Sequence, residues 1–286
     1  MNSAPPPPPF PRKRESIPPR PAGSDTGLRS IFLVPTVLFA IFVALPLLAL
    51  IVRAVMTGDL FAQLTQPIVI SALRLSALTS VASLLIIVLV GTPTAYLLAR
   101  SAFPGKRFLD VLIDVPLALP PVVVGVALLL VFGRLGVVGR WLHPLGIEIA
   151  FTTLAVVLAQ IFVAAPFYVR SAKIGFGRVD PELEEIAVTL GASTWQTLRY
   201  VTVPLAWPAL VGGAVLSWAR ALGEFGATIM FAGNFTGRTQ TMPLAIMTAL
   251  ESDLQTAIVL ATLLVLATFV ALFLLRWISR RFGDVW

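Results

Sequence analysis

Two groups of charged residues could do chemistry in this chain, and in both the chemistry is non-covalent. Glu182, Glu184 and Glu185 follow Asp180-Pro181 at the head of DPELEEIAVTLGASTWQTLRYVTVP (180–204), a polar, acidic stretch between long apolar runs. Arg220 and Glu224 interrupt another apolar run four residues apart, a spacing that puts both on one helical face within reach of each other. A lone charge in a bilayer is costly, so the pair is expected to neutralise itself facing the interior of a bundle. Sets of residues for catalysis are missing. The chain has no cysteine, and its single histidine, His143, has no cluster of metal ligands around it. Disulfides, thiolate metal sites and cysteine nucleophiles are therefore excluded. Pro104-Gly105-Lys106-Arg107 comes nearest to a phosphate loop but lacks the first glycine and the Ser/Thr of that motif. We expect no catalytic residue, no metal and no cofactor bound by this chain. If it moves a solute uphill, a partner must supply the energy.

The 180–204 stretch reads as two short helices joined at a glycine. Asp180 is a good N-cap, Pro181 suits the first helical position, and the glutamates favour the positive end of the helix dipole. Leu183, Ile186, Ala187 and Leu190 recur at helical spacing as one apolar stripe. Gly191 fits a helix stop, and Ser193 with Gln196 forms a capping box for a second helix through Trp195 and Leu198. Pro204 marks entry to the next apolar run. Such a shape suits docking of a soluble partner; the plainer reading is an amphipathic helix at the membrane interface.

The elements that must position these residues are membrane spans. Of 286 residues, 57% are hydrophobic and 12% charged, far from a soluble balance. Apolar runs long enough to cross a bilayer, about 18 residues or more, are read at Ile31–Val52, Leu75–Ala99, Val115–Phe132, Ile149–Val169, Val203–Phe231 and Leu254–Leu275. The predicted fold class is thus an all-α integral membrane protein with six transmembrane helices. Prolines within the runs (Pro35, Pro46, Pro93, Pro120, Pro121, Pro166, Pro208) predict kinks that a bundle tolerates. With the N-terminus cytoplasmic, the Lys and Arg residues at 12–29, 100–107, 170–199 and 276–281 all lie inside. Only Arg53, Arg134, Arg140 and Arg238 fall outside. This positive-inside bias places both termini and the 180–204 stretch in the cytoplasm, and it accounts for a formal net charge of +7 without nucleic acid. Residues 1–30, with the Pro5–Pro9 run, read as a disordered, basic tail rather than a signal peptide. Residues 31–280 form the six-span domain, and 281–286 a cytoplasmic end.

Glu185-Ile186-Ala187, then Gly191, then Val201-Thr202-Val203-Pro204 resembles the E-A-A-x3-G-x9-I-x-L-P segment of ABC-importer permeases. Ile186 stands for Ala, and valines stand for Ile and Leu near the end. The resemblance implies that this is a cytoplasmic coupling helix seated in a groove of an ATPase subunit, with Glu184, Glu185, Ala187, Gly191, Ala192 and Pro204 as coupling residues. Ala221-Leu222-Gly223-Glu224-Phe225-Gly226-Ala227-Thr228, with Phe231-Ala232-Gly233-Asn234 and Gly237-Arg238-Thr239-Gln240-Thr241-Met242-Pro243, resembles molybdate permeases; sulfate permeases are similar here and tungstate permeases more divergent. It implies an importer of molybdate, or of sulfate or tungstate, in a prokaryotic inner membrane. The implied partners are a second copy of the chain, two ATPase subunits that use ATP and Mg, and an external solute-binding protein.

Individual roles stay open at this level. Arg220, Glu224, Phe225 and Gly226 are either a gate or a structural ion pair beside flexible glycines. Asn234, Arg238, Thr239 and Gln240 either dock the binding protein or form a solvated connection, and Pro243 onward predicts a short amphipathic helix at the outer interface. Pro120-Pro121 either lines the pathway or merely kinks its helix. Arg74 is expected to snorkel to the interface. Two other classes are weighed. A secondary transporter calls for intramembrane acids or inverted repeats, of which only the Arg220/Glu224 pair is present. A membrane enzyme calls for a nucleophile–base set or metal cluster, for which the chain lacks residues.

Overall fold

The computed structural model describes residues 25–56 and 64–281. The expected tail falls outside the described residues up to residue 24, as does the end beyond residue 281. Among the described residues every regular element is helical; besides short turns such as Thr194–Thr197, these are α1 Asp25–Met56, α2 Pro67–Arg100, α3 Lys106–Ala118, α4 Pro121–Phe132, α5 Thr153–Arg178, α6 Pro181–Thr189, α7 Val203–Leu222, α8 Gly226–Ala232, α9 Met242–Ser252 and α10 Leu254–Arg281. The described residues divide into two compact units, one up to Leu48 and one from Ala49 onward. The first contributes most of α1, whose large apolar side chains, among them Phe32, Phe39 and Phe42, are exposed, as suits a helix solvated by lipid.

The second unit is built around α5. One core cluster joins Ala164, Tyr168, Ala172 and Phe176 of α5 to Ile87, Ala95 and Leu98 of α2 and to Ala206 and Leu210 of α7. A second joins Ala155, Val156, Ala159 and Val163 of α5 to Val124 and Leu128 of α4 and to Ala227 and Phe231 of α8. In lipid, helices are held by close packing and interhelical hydrogen bonds rather than by exclusion of water. Both devices are present. Ser171 Oγ on α5 donates to the Ala209 carbonyl of α7 at 2.7 Å. On one face of α2, Ser76 Oγ accepts from Met242 N at 2.7 Å, Ser80 Oγ accepts from Trp218 Nε1 at 3.1 Å, and Ser83 Oγ donates to Gln160 Oε1 at 3.0 Å.

Among the described residues five helices are long and apolar enough to cross a membrane, or six if the bent pair α3–α4 counts as one span. The six-span architecture therefore holds, with three differences in detail. The α2 helix starts at Pro67 rather than Leu75, because a helix need not stop where its apolar run does. The third span breaks at Leu119-Pro120 and turns through 118°. A residue before proline disfavours the α conformation; Leu119 is extended (φ −80°, ψ 138°) and Pro121 restarts the helix at its first position. The fifth span stops at Leu222 and resumes at Gly226, at Glu224. The remaining prolines predicted to kink helices, such as Pro93, Pro166 and Pro208, lie within continuous ones.

Candidate functional site

The 180–204 stretch folds as its residues dictate. Asp180 Oδ1 accepts from Glu182 N at 3.0 Å, and Pro181 opens α6 without wasting a donor. At the other end Gly191 takes φ +91°, a left-handed conformation that costs an L-residue energy. Ala192 N then donates to the Ala187 carbonyl at 3.0 Å and Gly191 N to the Val188 carbonyl at 2.9 Å. This crossed pair is a Schellman closure, and it shows why Ala187 and Ala192 belong together: one supplies the acceptor that the other closes. A Cβ built on Gly191 meets nothing within 4 Å, so the demand for glycine is conformational and not steric. Ser193 and Gln196 form both bonds of the capping box. Residues 198–202 then widen into a π turn. Pro204 explains the widening, since it has no N–H to donate and its ring crowds the carbonyl four residues back.

Adjacent glutamates on α6 point different ways. Glu185 is exposed and Glu184 half-buried. Glu184 Oε1 lies 3.2 Å from Arg100 Nη2 and accepts from Thr202 Oγ1 at 2.6 Å. Arg100, the last residue of α2, also donates through Nη2 to the Val179 carbonyl at 2.6 Å. The two side chains are 15% and 22% exposed, so a charge-assisted contact of about 1–3 kcal/mol is the fitting scale. The stripe seen in the sequence does not face the body: Leu183, Ile186 and Leu190 are 44%, 55% and 83% exposed, and Trp195 67%. A cavity of about 470 Å³ opens between α6 and Thr194–Leu198, lined by Glu184, Glu185, Val188, Tyr96, Thr197 and Leu198.

The second site is where the two broken spans cross. Arg220 Nη1 lies 2.8 Å from Glu224 Oε2, close as an ion pair though not aligned as a hydrogen bond. Glu224 Oε1 accepts from Ala227 N at 2.8 Å, satisfying an orphan donor of α8. Its side chain is 1% exposed and that of Arg220 28%. Both oxygens are therefore committed, one to the end of α7 and one to the start of α8. Phe225, the N-cap of α8, leaves helical geometry with φ −127° and ψ −56°. A Cβ on Gly226 would sit 2.8 Å from Pro121 Cβ, and one on Gly125 would sit 2.6 Å from Met230 Cβ. Glycine is required at both positions because α4 and α8 touch backbone to backbone.

The polar loop after α8 is knitted into the fold more than the sequence suggested. Thr239 and Gln240 are buried, at 0% and 3% exposure. Thr239 Oγ1 accepts from Phe235 N at 2.9 Å, Gln240 Oε1 accepts from Thr236 Oγ1 at 3.1 Å, and Asn234 Nδ2 donates to Thr248 Oγ1 at 2.9 Å. Arg238 keeps an exposed side chain, while its carbonyl accepts from Thr153 Oγ1 at 2.8 Å. The expected amphipathic helix is α9, which buries Met242, Leu244, Ala245 and Ala249. Arg74 is exposed and lines a cavity of about 670 Å³ with Ser71 and Thr153. Sequence reasoning also missed a pair of ion pairs. Asp110 and Asp114 of α3 pair with Lys173 and Arg170 of α5, with closest contacts of 2.6 and 2.8 Å. The i, i+4 acids were visible, but their partners lie about sixty residues away.

Comparison with known proteins agrees with this architecture. The family model described as "Binding-protein-dependent transport system inner membrane component" matches residues 88–284. The chain is 46% identical over 232 residues to the molybdenum transport system permease protein ModB of Mycobacterium tuberculosis, covering 81% of this chain and 88% of the relative. It is 36% identical over 242 residues to the sulfate transport system permease protein CysT of Escherichia coli, covering 84% and 87%. Among solved structures, a chain of a bacterial alginate ABC transporter, in complex with an alginate pentasaccharide-bound periplasmic protein, shares the fold. It matches with TM-score 0.70 at 18% identity, covering 91% of this chain and 96% of that one. The family match, the relatives and the broken, multi-span bundle lead to one conclusion: the chain belongs to the binding-protein-dependent transport system inner membrane components, as an ABC-importer permease subunit.

Proposed function

We propose that this permease subunit imports molybdate, working as a homodimer with two ATPase subunits and an external binding protein. The observation that carries the substrate is the 46% identity to a molybdenum permease over 88% of that relative. Sulfate is the second reading, favoured by the 36% identity to a sulfate permease. Both are divalent tetrahedral oxyanions, so the choice between them is one of degree. The binding-protein partner is supported by the family description and by the periplasmic protein bound to the alginate relative.

The proposed cycle is alternating access, with both termini and α6 in the cytoplasm. The surface offered to the ATPase is the exposed face of Leu183, Glu185, Ile186 and Leu190, held rigid by a cap at each end of α6. ATP draws the two ATPase subunits together, the α6 helices follow, and the cavity between the two copies opens outward. Hydrolysis and release reverse the motion. Where the broken spans cross, Glu224 and Arg220 form a neutral closed element; an unpaired carboxylate there would repel the cargo. Arg238, together with exposed Phe235 and Thr236, is the part of the outer loop available to the binding protein. Asn234, Thr239 and Gln240 shape that loop from within.

Labelled molybdate uptake into vesicles carrying this chain, its ATPase and its binding protein tests the reading, with sulfate and tungstate as competitors. The reading requires ATP-dependent molybdate uptake that resists excess sulfate. Uptake of sulfate alone would replace the substrate while keeping the permease. Gly191→Asp is expected to remain inserted, since its side chain enters open space, yet to abolish ATP-driven uptake by placing a charge at the docking turn.

A further inference from the structure

We infer that Glu184 is a positioning residue: with Arg100 it forms a brace through which displacement of α6 reaches the ends of three spans, while the neighbouring Glu185 faces the partner. The inference rests on the proposed coupling role of α6. Consecutive helical residues project about 100° apart; both glutamates edge the cavity beside α6, but only Glu185 is exposed. Glu184 Oε1 receives the guanidinium at the end of α2 and the hydroxyl of Thr202 just before α7. The same guanidinium nitrogen binds the carbonyl of Val179, which caps the end of α5. The ends of α2, α5 and α7 thus converge on one carboxylate–guanidinium pair. Among the described residues α6 has no buried side chain of its own to tie it down comparably. Without the pair, α6 is joined to the spans mainly through the short connections at either end, Val179-Asp180 and Leu190–Ser193. A partner could then move α6 without moving the bundle.

The test uses the complete complex in proteoliposomes and two readouts. Since the chain has no cysteine, spin labels at the exposed Glu182→Cys, which lies outside the docking face, and at Trp207→Cys report the α6–α7 distance in a complex whose partner subunits carry no reactive cysteine. In the wild-type background that distance should be single and narrow, and the same with and without ATP. In Glu184→Ala or Arg100→Ala it should broaden or become ATP-dependent. The second readout is solute moved per ATP hydrolysed. Both variants should still copurify with the ATPase and hydrolyse ATP, with this ratio falling about tenfold. Arg100→Lys and Glu184→Gln, which keep a donor for the Val179 carbonyl and an acceptor for Thr202, should retain a substantial part of it, whereas Glu185→Ala should weaken ATPase association. An unchanged distance distribution in Glu184→Ala would overturn the brace. So would loss of ATPase association in Glu184→Ala, since that marks a contact residue. If the wild-type complex transports no oxyanion, the proposed substrate fails; the label distances then decide the brace alone.

Discussion

Arg220–Glu224 and Arg100–Glu184 use the same chemistry for opposite ends. The first pair lies within one span, four residues apart, with the carboxylate 1% exposed. It stitches α7 to α8 across a break and has little freedom to do anything else. The second joins residues 84 apart in sequence, with side chains 15% and 22% exposed. It links elements that otherwise touch little. Burial decides the difference. Removing Arg220 leaves the Glu224 carboxylate uncompensated where water cannot reach, whereas the partly exposed Arg100–Glu184 pair can be lost with water taking its place. The pair at the crossing of the broken spans is expected to govern folding, and the pair at the rim to govern how motion spreads.

Breaking the buried pair should give the largest effect on stability. Arg220→Ala leaves the buried Glu224 carboxylate without a counter-charge and should cost about 3–5 kcal/mol, read as a lower melting temperature in detergent. Glu224→Gln keeps the acceptor for Ala227 N and should fall between. Equal melting of wild type and Arg220→Ala would show that the carboxylate does not need its counter-charge. Glu184→Ala should cost less, about 1–3 kcal/mol, while its transport per ATP drops, the inverse of a purely structural residue. Gly191→Ala sharpens the contrast further. With φ +91° and empty space at Cβ, it should cost about 1 kcal/mol and leave the bundle intact by helical circular dichroism.

The smallest effect is expected at the junction before α10. Asp253 Oδ2 accepts from Thr256 Oγ1, and Oδ1 accepts from the backbone N–H of Gln255 and Thr256. The hydroxyl bond from Thr256 foremost, helped by these two amides, holds its carboxyl below the usual carboxylate range. A depressed folded pKa contributes stability that is complete above the unfolded value, about 3.9, and is lost as pH falls through the folded one. Asp253→Ala should therefore melt slightly below wild type at neutral pH, and the gap should close in strong acid. A gap that persists there would mean that the carboxylate's charge is not the cause.

Much of this was legible in the residues. The caps of α6, the stop at Gly191 and the Ser193–Gln196 box are local events, decided within a few residues, and they formed as read. The apolar runs mark the spans because lipid demands long uncharged helices whatever their neighbours. What escaped depends on tertiary partners. Glu184 looked like one more acid of a docking helix until Arg100 and Thr202 came beside it. Thr239 and Gln240 looked like an open polar loop because hydroxyl and amide side chains bond to water or to each other equally well. The break at Glu224 was half visible: the i, i+4 pairing with Arg220 was expected, but the carboxylate's second duty to Ala227 N ends the helix that the apolar run seemed to continue.

The most direct test of the central claim is molybdate uptake into proteoliposomes holding the wild-type complex, with and without ATP and with and without the ATPase subunits. The account predicts accumulation only when chain, binding protein, ATPase and ATP are all present, and its loss in Gly191→Asp. Accumulation driven by an ion gradient with ATP and ATPase omitted would contradict it and make this chain a secondary transporter.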